Sequence, residues 1–255
     1  MSLVSLEDHE SVRVLTLTRP AVRNAMDTAM LGALLDALAD AVAETAVRVV
    51  VLTGAGGAFS AGADLREELD HGGRVRRMDL FCQVYEAVGT CPKPTVAAVA
   101  GHCVGGGAEV AAACDVRVAD PTASFRFPGA ALGIPVGAAK LVGLVGLGAA
   151  KDLVLTSRTM DAEEARSIGL VQRLARAGGA LDGALDTAVR MAANHPDSVA
   201  HLKRLFGRFS GLGDRIAVEN DALHGLAEAD GDYAALTMPD PKRTAGWPGV
   251  PGPGR

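Results

Sequence analysis

Two glycine-rich segments of the sequence share one design, a buried strand whose end turns directly into a helix. The first is residues 49–65, VVVLTGAGGAFSAGADL, and the second is residues 96–109, VAAVAGHCVGGGAE. Glycine lets the backbone approach a ligand closely, because it has no Cβ. The first amides of a helix have no internal partner and lie at the positive end of its dipole. Two such turns at one sheet edge would direct two N–H groups at a single oxygen, which is the arrangement of an oxyanion hole.

Other interpretations of the two turns predict different chemistry. A dinucleotide site of an oxidoreductase needs the pattern GxGxxG, and the segment GAGGAF lacks its third glycine. Neither turn ends in the GK[ST] of a phosphate-binding P-loop. Each turn alone is also explained by tight packing of a helix on a sheet. Spacing alone therefore leaves the oxyanion hole and simple packing both open.

Hydrophobic periodicity predicts the elements that position these turns. Strands are expected at 12–18, 47–53, 94–100, 115–119 and 170–174. Helices are expected at 30–42, 64–70, 75–88, 106–113, 138–145, 149–155, 162–167, 181–194, 198–209 and 215–236. Strands alternating with helices indicate an α/β fold with a mostly parallel sheet, followed by a helical C-terminal region.

Composition and charge narrow the class of protein. The 255 residues carry a formal net charge of -5, and no run of Lys or Arg indicates a nucleic-acid surface. The four cysteines form no CxxC pair, which indicates free thiols and no metal site. The N-terminal residues do not resemble a signal peptide, and no apolar run reaches the ~18 residues of a membrane span. A cytoplasmic protein without nucleic-acid or membrane partners is expected.

Several motifs follow one another in an order that resembles the crotonase (enoyl-CoA hydratase/isomerase) superfamily, over about residues 10–195. They are Asn24-Ala25, FSAGADL at 59–65, GHCVGGGAE at 101–109, ACDVRVA at 113–119, ALGIP at 131–135 and DAEEARSIGLV at 161–171. The resemblance implies a crotonase-like ββα spiral with a helical C-terminal region. It also implies an acyl-CoA thioester substrate whose enolate is stabilised in an oxyanion hole, with no cofactor besides the coenzyme A of the substrate.

The family's catalytic roles map onto three positions. By resemblance, the oxyanion amides belong to Ala63 and to Gly106, the middle glycine of GGG. Glu109 matches the first of the two glutamates of enoyl-CoA hydratases. It follows Gly106 by three residues on a helix, so it lies on the same face one turn further on. An apolar pocket would raise its pKa, which suits acid–base work near neutral pH.

The resemblance also assigns substrate-binding positions. Those expected along the coenzyme A and acyl path are Ala61, Asp64, Leu65, Arg66, Gly105 and Gly106. Arg23 lies where many relatives place a basic residue near the nucleotide phosphates. A surface arginine at a helix start explains Arg23 equally well.

The sequence departs from the hydratase pattern where the second glutamate is expected. Gly129 occupies that position, and Val136 occupies the position where some isomerases carry an acid. Glu109 is therefore the single acid expected at the reacting carbons. One carboxylate suffices to move a double bond, whereas hydration uses two groups, which points to isomerase or other enolate chemistry. The overall motif pattern still resembles that of enoyl-CoA hydratases, so both reactions stay open. The alternative is a non-catalytic acyl-CoA-binding protein on the same scaffold.

The chain divides into three parts in this interpretation. Residues 1–195 form the crotonase-like core that binds the thioester, 196–243 a helical region for oligomerisation, and 244–255 a Pro/Gly-rich tail. The resemblance implies a homotrimer or homohexamer, in which Lys242 or Arg243 reaches a coenzyme A phosphate.

Overall fold

The computed structural model describes residues 2–229, so Lys242, Arg243 and the tail lie outside the described residues. The N-terminal half alternates strands and helices as far as the second glycine-rich turn. Its elements are β1 (Val4–His9), β2 (Val12–Leu17), α1 (Thr28–Ala43), β3 (Val49–Gly54), α2 (His71–Gly89), β4 (Thr95–Val99), β5 (His102–Val104) and α3 (Gly106–Ala113).

The second half is mainly helical. Its elements are β6 (Val116–Ala119), β7 (Ser124–Arg126), α4 (Ala138–Thr156), β8 (Thr159–Asp161), α5 (Ala162–Ser167), β9 (Arg173–Leu174), α6 (Ala180–Ala192), α7 (Pro196–Ser210) and α8 (Leu212–Glu228). The two helices expected at 138–145 and 149–155 are the two arms of α4, which breaks at Gly146 with φ 77° and ψ 164°.

The main sheet has six strands in the order β1-β2-β3-β4-β6-β9. Only β1 and β2 pair in the antiparallel sense, and every other neighbouring pair is parallel. The expectation of a mostly parallel sheet is confirmed. Helices cover both faces of a parallel sheet, so its strands are buried on both sides and their sequences are continuous apolar, β-branched runs. Since β3 and β4 are adjacent and parallel, the turns that follow them leave the sheet at the same edge.

Side chains at the helix starts fix where α1 and α2 begin. Asp27 accepts a hydrogen bond from the Met30 amide (2.8 Å), and Asp70 accepts one from the Gly73 amide (2.7 Å). Each carboxylate satisfies an amide that the helix leaves free. The helix α2 then packs against α1, α3 and α8, and α8 also packs against α4. The C-terminal helix α8 is thus part of the wall around α2 and α4.

The structure corrects two sequence predictions. The helix expected at 64–70 is wrong, because these residues form only turns and irregular backbone. There the Asp64 carboxylate accepts from the Arg66 amide (3.1 Å), a local bond that competes with helix formation. Four short strands were also not expected, namely β1, β5, β7 and β8. The last three form a second sheet in the order β5-β7-β8.

The cysteines of the described residues form no disulfide bond with one another. Cys82, Cys91, Cys103 and Cys114 are all free and buried. No helix between residues 2 and 229 is long and apolar enough to cross a membrane. Within the same range, no group of three or more His, Cys, Asp or Glu side chains is arranged to hold a metal ion.

Candidate active site

The first glycine-rich turn is fixed by two buried polar side chains. The Asn24 amide donates to the carbonyl oxygens of Ala55 (2.9 Å) and Ala58 (2.7 Å), both in the turn after β3. The Ser60 hydroxyl donates to the Asn24 carbonyl (2.8 Å) and accepts from the Gly62 amide (3.1 Å). The Asn24-Ala25 motif of the sequence therefore has a structural explanation, since Asn24 holds the backbone that presents Ala63.

The two turns touch at Gly62. This residue has φ 86°, and a Cβ placed on it would lie 2.7 Å from the Val104 carbonyl oxygen and 3.1 Å from the Gly106 nitrogen. Only glycine accommodates both the positive φ and the close approach. The contact brings Ala63, the next residue, beside the start of α3. The arrangement expected from the sequence, two turns meeting at one sheet edge, is present.

Ala63 and Gly106 line the same cavity, and within residues 2–229 neither amide has a backbone acceptor. Both residues line a cavity of about 300 Å³, together with Ala61, Leu65 and Gly105. Among residues 2–229, neither amide donates a hydrogen bond to another backbone group. A free amide at the start of a helix, next to a second free amide, is suited to binding a carbonyl oxygen that gains negative charge.

One face of α2 forms much of the remaining cavity wall. The α2 residues on the wall recur at helical spacing and are Arg74, Arg77, Met78, Phe81 and Tyr85. Phe81 lies against the oxyanion position, because a Cβ on Gly106 would come within 2.5 Å of its Cε1. The opposite wall includes Pro128, Gly129, Ile134 and Val136. The cavity is therefore mainly apolar around two free amides.

A buried chain of charges joins α3, α4 and α8. Glu109 on α3 is 1% exposed, and its Oε2 lies 3.1 Å from the Nζ of Lys140 on α4. Lys140 also pairs with Glu219 on α8, and its Nζ lies 4.6 Å from the centre of the Tyr85 ring. The Glu219 carboxylate accepts from the amides of Gly137 and Ala139, each at 2.9 Å. One buried cation thus lies between two buried carboxylates.

This environment sets the proton affinity of Glu109. Burial raises the pKa of the Glu109 carboxyl to about 7, with Lys140 lowering it and Glu219 raising it. Burial alone would lower the pKa of Lys140, but the two carboxylates raise it above its ordinary value. With Lys140 charged and Glu219 ionised, the group is neutral when Glu109 is protonated. A carboxyl with a pKa near 7 can both take and return a proton at neutral pH.

Glu109 is not part of the cavity wall in this structure. The residues that line the cavity include both predicted oxyanion positions and Val136 and Tyr85, but not Glu109. Oε2 accepts no hydrogen bond with good geometry, although Lys140 is at ion-pair distance. The structure therefore brings Ala63, Gly105 and Gly106 together at the cavity, while the Glu109 carboxylate turns toward Lys140.

The residues assigned to the coenzyme A path differ in how they are placed. Ala61 and Leu65 line the cavity, and Leu65 is 54% exposed at its rim. Asp64 is buried outside the cavity wall, where hydrogen bonds from Arg66 and then Arg19 help to lower the pKa of its carboxyl to about 2. Arg66 and Arg23 are exposed at the surface and are not part of the cavity wall.

We predict that Gly62→Ala disrupts the contact between the two turns. The new Cβ would overlap the Val104 carbonyl, and we expect a loss of about 1–3 kcal/mol in unfolding free energy beyond the strain of a positive φ. Gly57→Ala is the matched control, because Gly57 has φ 78° with no atom within 4 Å of the Cβ position. Urea unfolding of both variants measures the difference, and equal losses would contradict the prediction.

The structure is an α/β protein with two glycine-rich turns that meet beside a cavity at the edge of a parallel sheet. Residues 7–219 match the sequence profile described as enoyl-CoA hydratase/isomerase. The chain is 34% identical over 243 residues to the short-chain-enoyl-CoA hydratase of Clostridium acetobutylicum, covering 92% of this chain and 93% of that protein. It therefore belongs to the enoyl-CoA hydratase/isomerase family of the crotonase superfamily.

Solved structures agree with this assignment. The enoyl-CoA hydratase of Bacillus anthracis superimposes with a TM-score of 0.79 and 31% identity, over 89% of this chain and 92% of that one. The monofunctional enoyl CoA isomerase from M. smegmatis superimposes with a TM-score of 0.71 and 34% identity, over 83% and 94%. Similarity to both kinds of protein confirms the crotonase-like fold and an enzyme family of hydratases and isomerases.

Sequence reasoning missed three residues around Glu109, namely Tyr85, Lys140 and Glu219. Lys140 had one detectable signal, since it is a single charge inside the apolar run GAAKLVGLVG at 137–146. A buried lysine needs a carboxylate partner, so that run could have prompted a search for one. No local pattern in the sequence identifies Glu219, which is 79 positions away.

Proposed function

We propose that the protein acts on an acyl-CoA thioester through an enolate, with Glu109 as the single acid–base group. The observation that carries the proposal is the pair of free amides, Ala63 and Gly106, in one apolar cavity. The thioester oxygen would accept from both N–H groups, which stabilise it more strongly as negative charge develops. Coenzyme A enters as part of the substrate.

The cavity favours isomerase-type chemistry over hydration. In the described part of the chain, no Asp or Glu is among the residues that line it. Gly129 stands at the position of the second hydratase glutamate, and a Cβ there would lie 2.7 Å from the Ile134 carbonyl oxygen. A glutamate at this position would therefore require the backbone to move. Hydration wants one group to activate water and another to protonate the α carbon, and with glycine at position 129 Glu109 is the one carboxylate proposed for both roles.

A single base is enough to shift a double bond. In a β,γ-unsaturated thioester, Glu109 would remove a proton from the α carbon, and the electron pair of that C–H bond would delocalise onto the thioester oxygen. Returning a proton from the Glu109 carboxyl to the γ carbon gives the α,β-unsaturated product, and exchange of that carboxyl proton with the solvent lets deuterium enter the substrate. Because Glu109 lies outside the cavity wall here, its side chain would turn from Lys140 toward the cavity when the thioester binds. Catalytic contacts are often looser in the absence of substrate.

One observation favours a second candidate function, a non-catalytic acyl-CoA-binding protein. The Glu109 carboxylate is 1% exposed and held beside Lys140, so it contributes to the charge chain rather than to the cavity wall. In this alternative the two amides bind the thioester carbonyl, and the carboxylate only supports the packing of α3 against α4.

Proton NMR of a short β,γ-enoyl-CoA in heavy water distinguishes the two functions. Deuterium entering the α carbon, together with a moved double bond, would support enolate chemistry. A 3-hydroxy product would show hydration and contradict the isomerase assignment. Line broadening without any chemical change would support the binding protein.

We predict a pH dependence set by Glu109. Its pKa is raised to about 7, mainly by burial, and the base is the ionised form. The kcat/KM for α-proton exchange should therefore increase as the pH rises through about 7. The pH dependence of this parameter reports the pKa values of the catalytic groups in the free enzyme. Exchange is measured in buffers from pH 5.5 to pH 8.5. A rate that stays constant over this range would contradict a role for the Glu109 carboxyl.

We also propose that the chain forms a homotrimer or homohexamer, with α7 at the contact. Leu202, Phe206 and Phe209 on this helix are 51%, 67% and 80% exposed. An exposed apolar face of this kind is typical of protein–protein contacts. Phe206→Glu is expected to lower the molar mass measured by light scattering, and Phe206→Ala to lower it less. An unchanged mass in Phe206→Glu would exclude this surface.

A further inference from the structure

The charge of the cavity wall is not explained by the chemistry at the thioester. Among residues 2–229, three arginines line the cavity, Arg74 and Arg77 from α2 and Arg126 from β7, and no acidic side chain of that range lines it. The remaining wall is mainly apolar. Guanidinium groups beside apolar surface are stabilised by an anion that binds them, and a carboxylate fits their paired N–H donors.

These arginines lie near the reacting end of the site. Phe81 marks the oxyanion position, because it lies against Gly106. On the same face of α2, Arg77 and Arg74 precede Phe81 by about 6 and about 10 Å along the helix axis. Arg126 pairs in register with Val104, and its carbonyl accepts from the Gly105 amide (3.0 Å). All three arginines therefore line the same cavity as Ala63 and Gly106.

Two of the three arginines have no carboxylate partner among residues 2–229. Arg77 is paired with Glu67 (3.3 Å) and donates to the Asp64 carbonyl (3.0 Å). Arg74 donates to the Leu69 carbonyl (3.0 Å), while its buried Nε has no partner in the described part of the chain. Arg126 donates from Nε to the Ser157 carbonyl (2.8 Å). Carbonyl oxygens orient Arg74 and Arg126 but leave their charge uncompensated.

The phosphates of coenzyme A are a less suitable partner for this charge. The whole pantetheine arm separates them from the thioester, whereas Arg74 lies about two helix turns from Phe81 and the Arg126 backbone is hydrogen-bonded to Gly105. An anion at the distal end of a short acyl chain is at the matching distance. We propose that the cavity selects an acyl-CoA whose acyl group ends in a carboxylate, which Arg74 and Arg126 bind. The inference rests on the proposed function only in taking an acyl-CoA thioester as the ligand.

Binding of saturated thioesters tests this selectivity without requiring turnover. We expect the wild-type protein to bind adipyl-CoA at least about 10-fold more tightly than hexanoyl-CoA in titration calorimetry, a difference of about 1.4 kcal/mol. Glutaryl-CoA against pentanoyl-CoA repeats the comparison with a shorter chain. Equal affinities of the wild-type protein within both pairs would overturn the proposal, whether or not any enoyl-CoA is turned over.

Three variants assign the preference to residues. Arg74→Met and Arg126→Met should each reduce the preference for the carboxylated thioester several-fold. Arg76→Met is the control, because Arg76 is exposed on α2 and does not line the cavity, and it should leave the preference unchanged. A preference that persists in both cavity variants would overturn the assignment. So would an equal loss of affinity for both thioesters and for free coenzyme A, since that result would place the phosphates at these arginines.

Discussion

Glu109→Gln is expected to slow α-proton exchange by about 10²- to 10⁴-fold, the usual contribution of a positioned acid–base group. The amide has nearly the shape of the carboxyl but cannot accept the proton from the α carbon. The oxyanion amides of Ala63 and Gly106 are unchanged, so thioester affinity should stay within a few-fold of wild type. Exchange followed by NMR in heavy water, with affinity from calorimetry, separates the two effects.

The matched control for Glu109→Gln is Glu163→Gln on the surface of α5. Glu163 is exposed and touches neither the cavity nor the buried charge chain, so exchange should remain at the wild-type rate. If Glu109→Gln also exchanges at that rate, Glu109 is not the base. If neither protein exchanges protons but both bind the thioester, the binding-protein alternative is correct.

Lys140→Met is expected to lower the free energy of unfolding by about 3–5 kcal/mol. Removing one member of a buried ionic group leaves its partners without compensation, and the described site has two of them, Glu109 and Glu219. The loss should be largest above pH 7, where the Glu109 carboxyl, with its pKa raised to about 7, is ionised. Because Lys140 lowers the pKa of Glu109, its removal should also shift the kcat/KM profile toward higher pH. Urea unfolding and the pH profile measure the two effects.

Two further variants separate charge from side-chain volume at this position. Lys151→Met replaces an exposed lysine of the same helix and should change stability by less than about 0.5 kcal/mol. Adding Glu219→Gln to Lys140→Met removes one uncompensated carboxylate and should restore part of the lost stability. A loss below about 1 kcal/mol in Lys140→Met would show that the charge chain is not the source of stability.

The sequence was sufficient to predict the elements with strong periodicity. The buried runs of β2, β3, β4 and β6 are continuous and β-branched, so their parallel pairing could be expected. The strands β5, β7 and β8 have three residues each, too few for a period to be visible. The helix expected at 64–70 failed because its acids bind arginines and amides, which propensity alone does not reveal.

The candidate site was predictable where it depends on the backbone. Glycine-rich segments indicated a close approach of two turns, and the resemblance to the crotonase superfamily, rather than the spacing, assigned the amides to Ala63 and Gly106. The direction of the Glu109 side chain was not predictable, because it depends on Lys140 from α4 and Glu219 from α8. Contacts between distant helices leave no periodic signal. Prediction of the acid–base environment therefore needs the tertiary structure.

The position of Glu219 links the order of synthesis to the order in which the site matures. Among the described elements, α8 is the last to leave the ribosome. Until it docks, Lys140 lacks the carboxylate of Glu219, and the amides of Gly137 and Ala139 at the start of α4 lack their acceptor. A nascent chain can thus complete both glycine turns while the electrostatic setting of Glu109 is still unfinished. Docking of α8, the last described helix, therefore makes the proposed acid–base environment a late property of the folding chain.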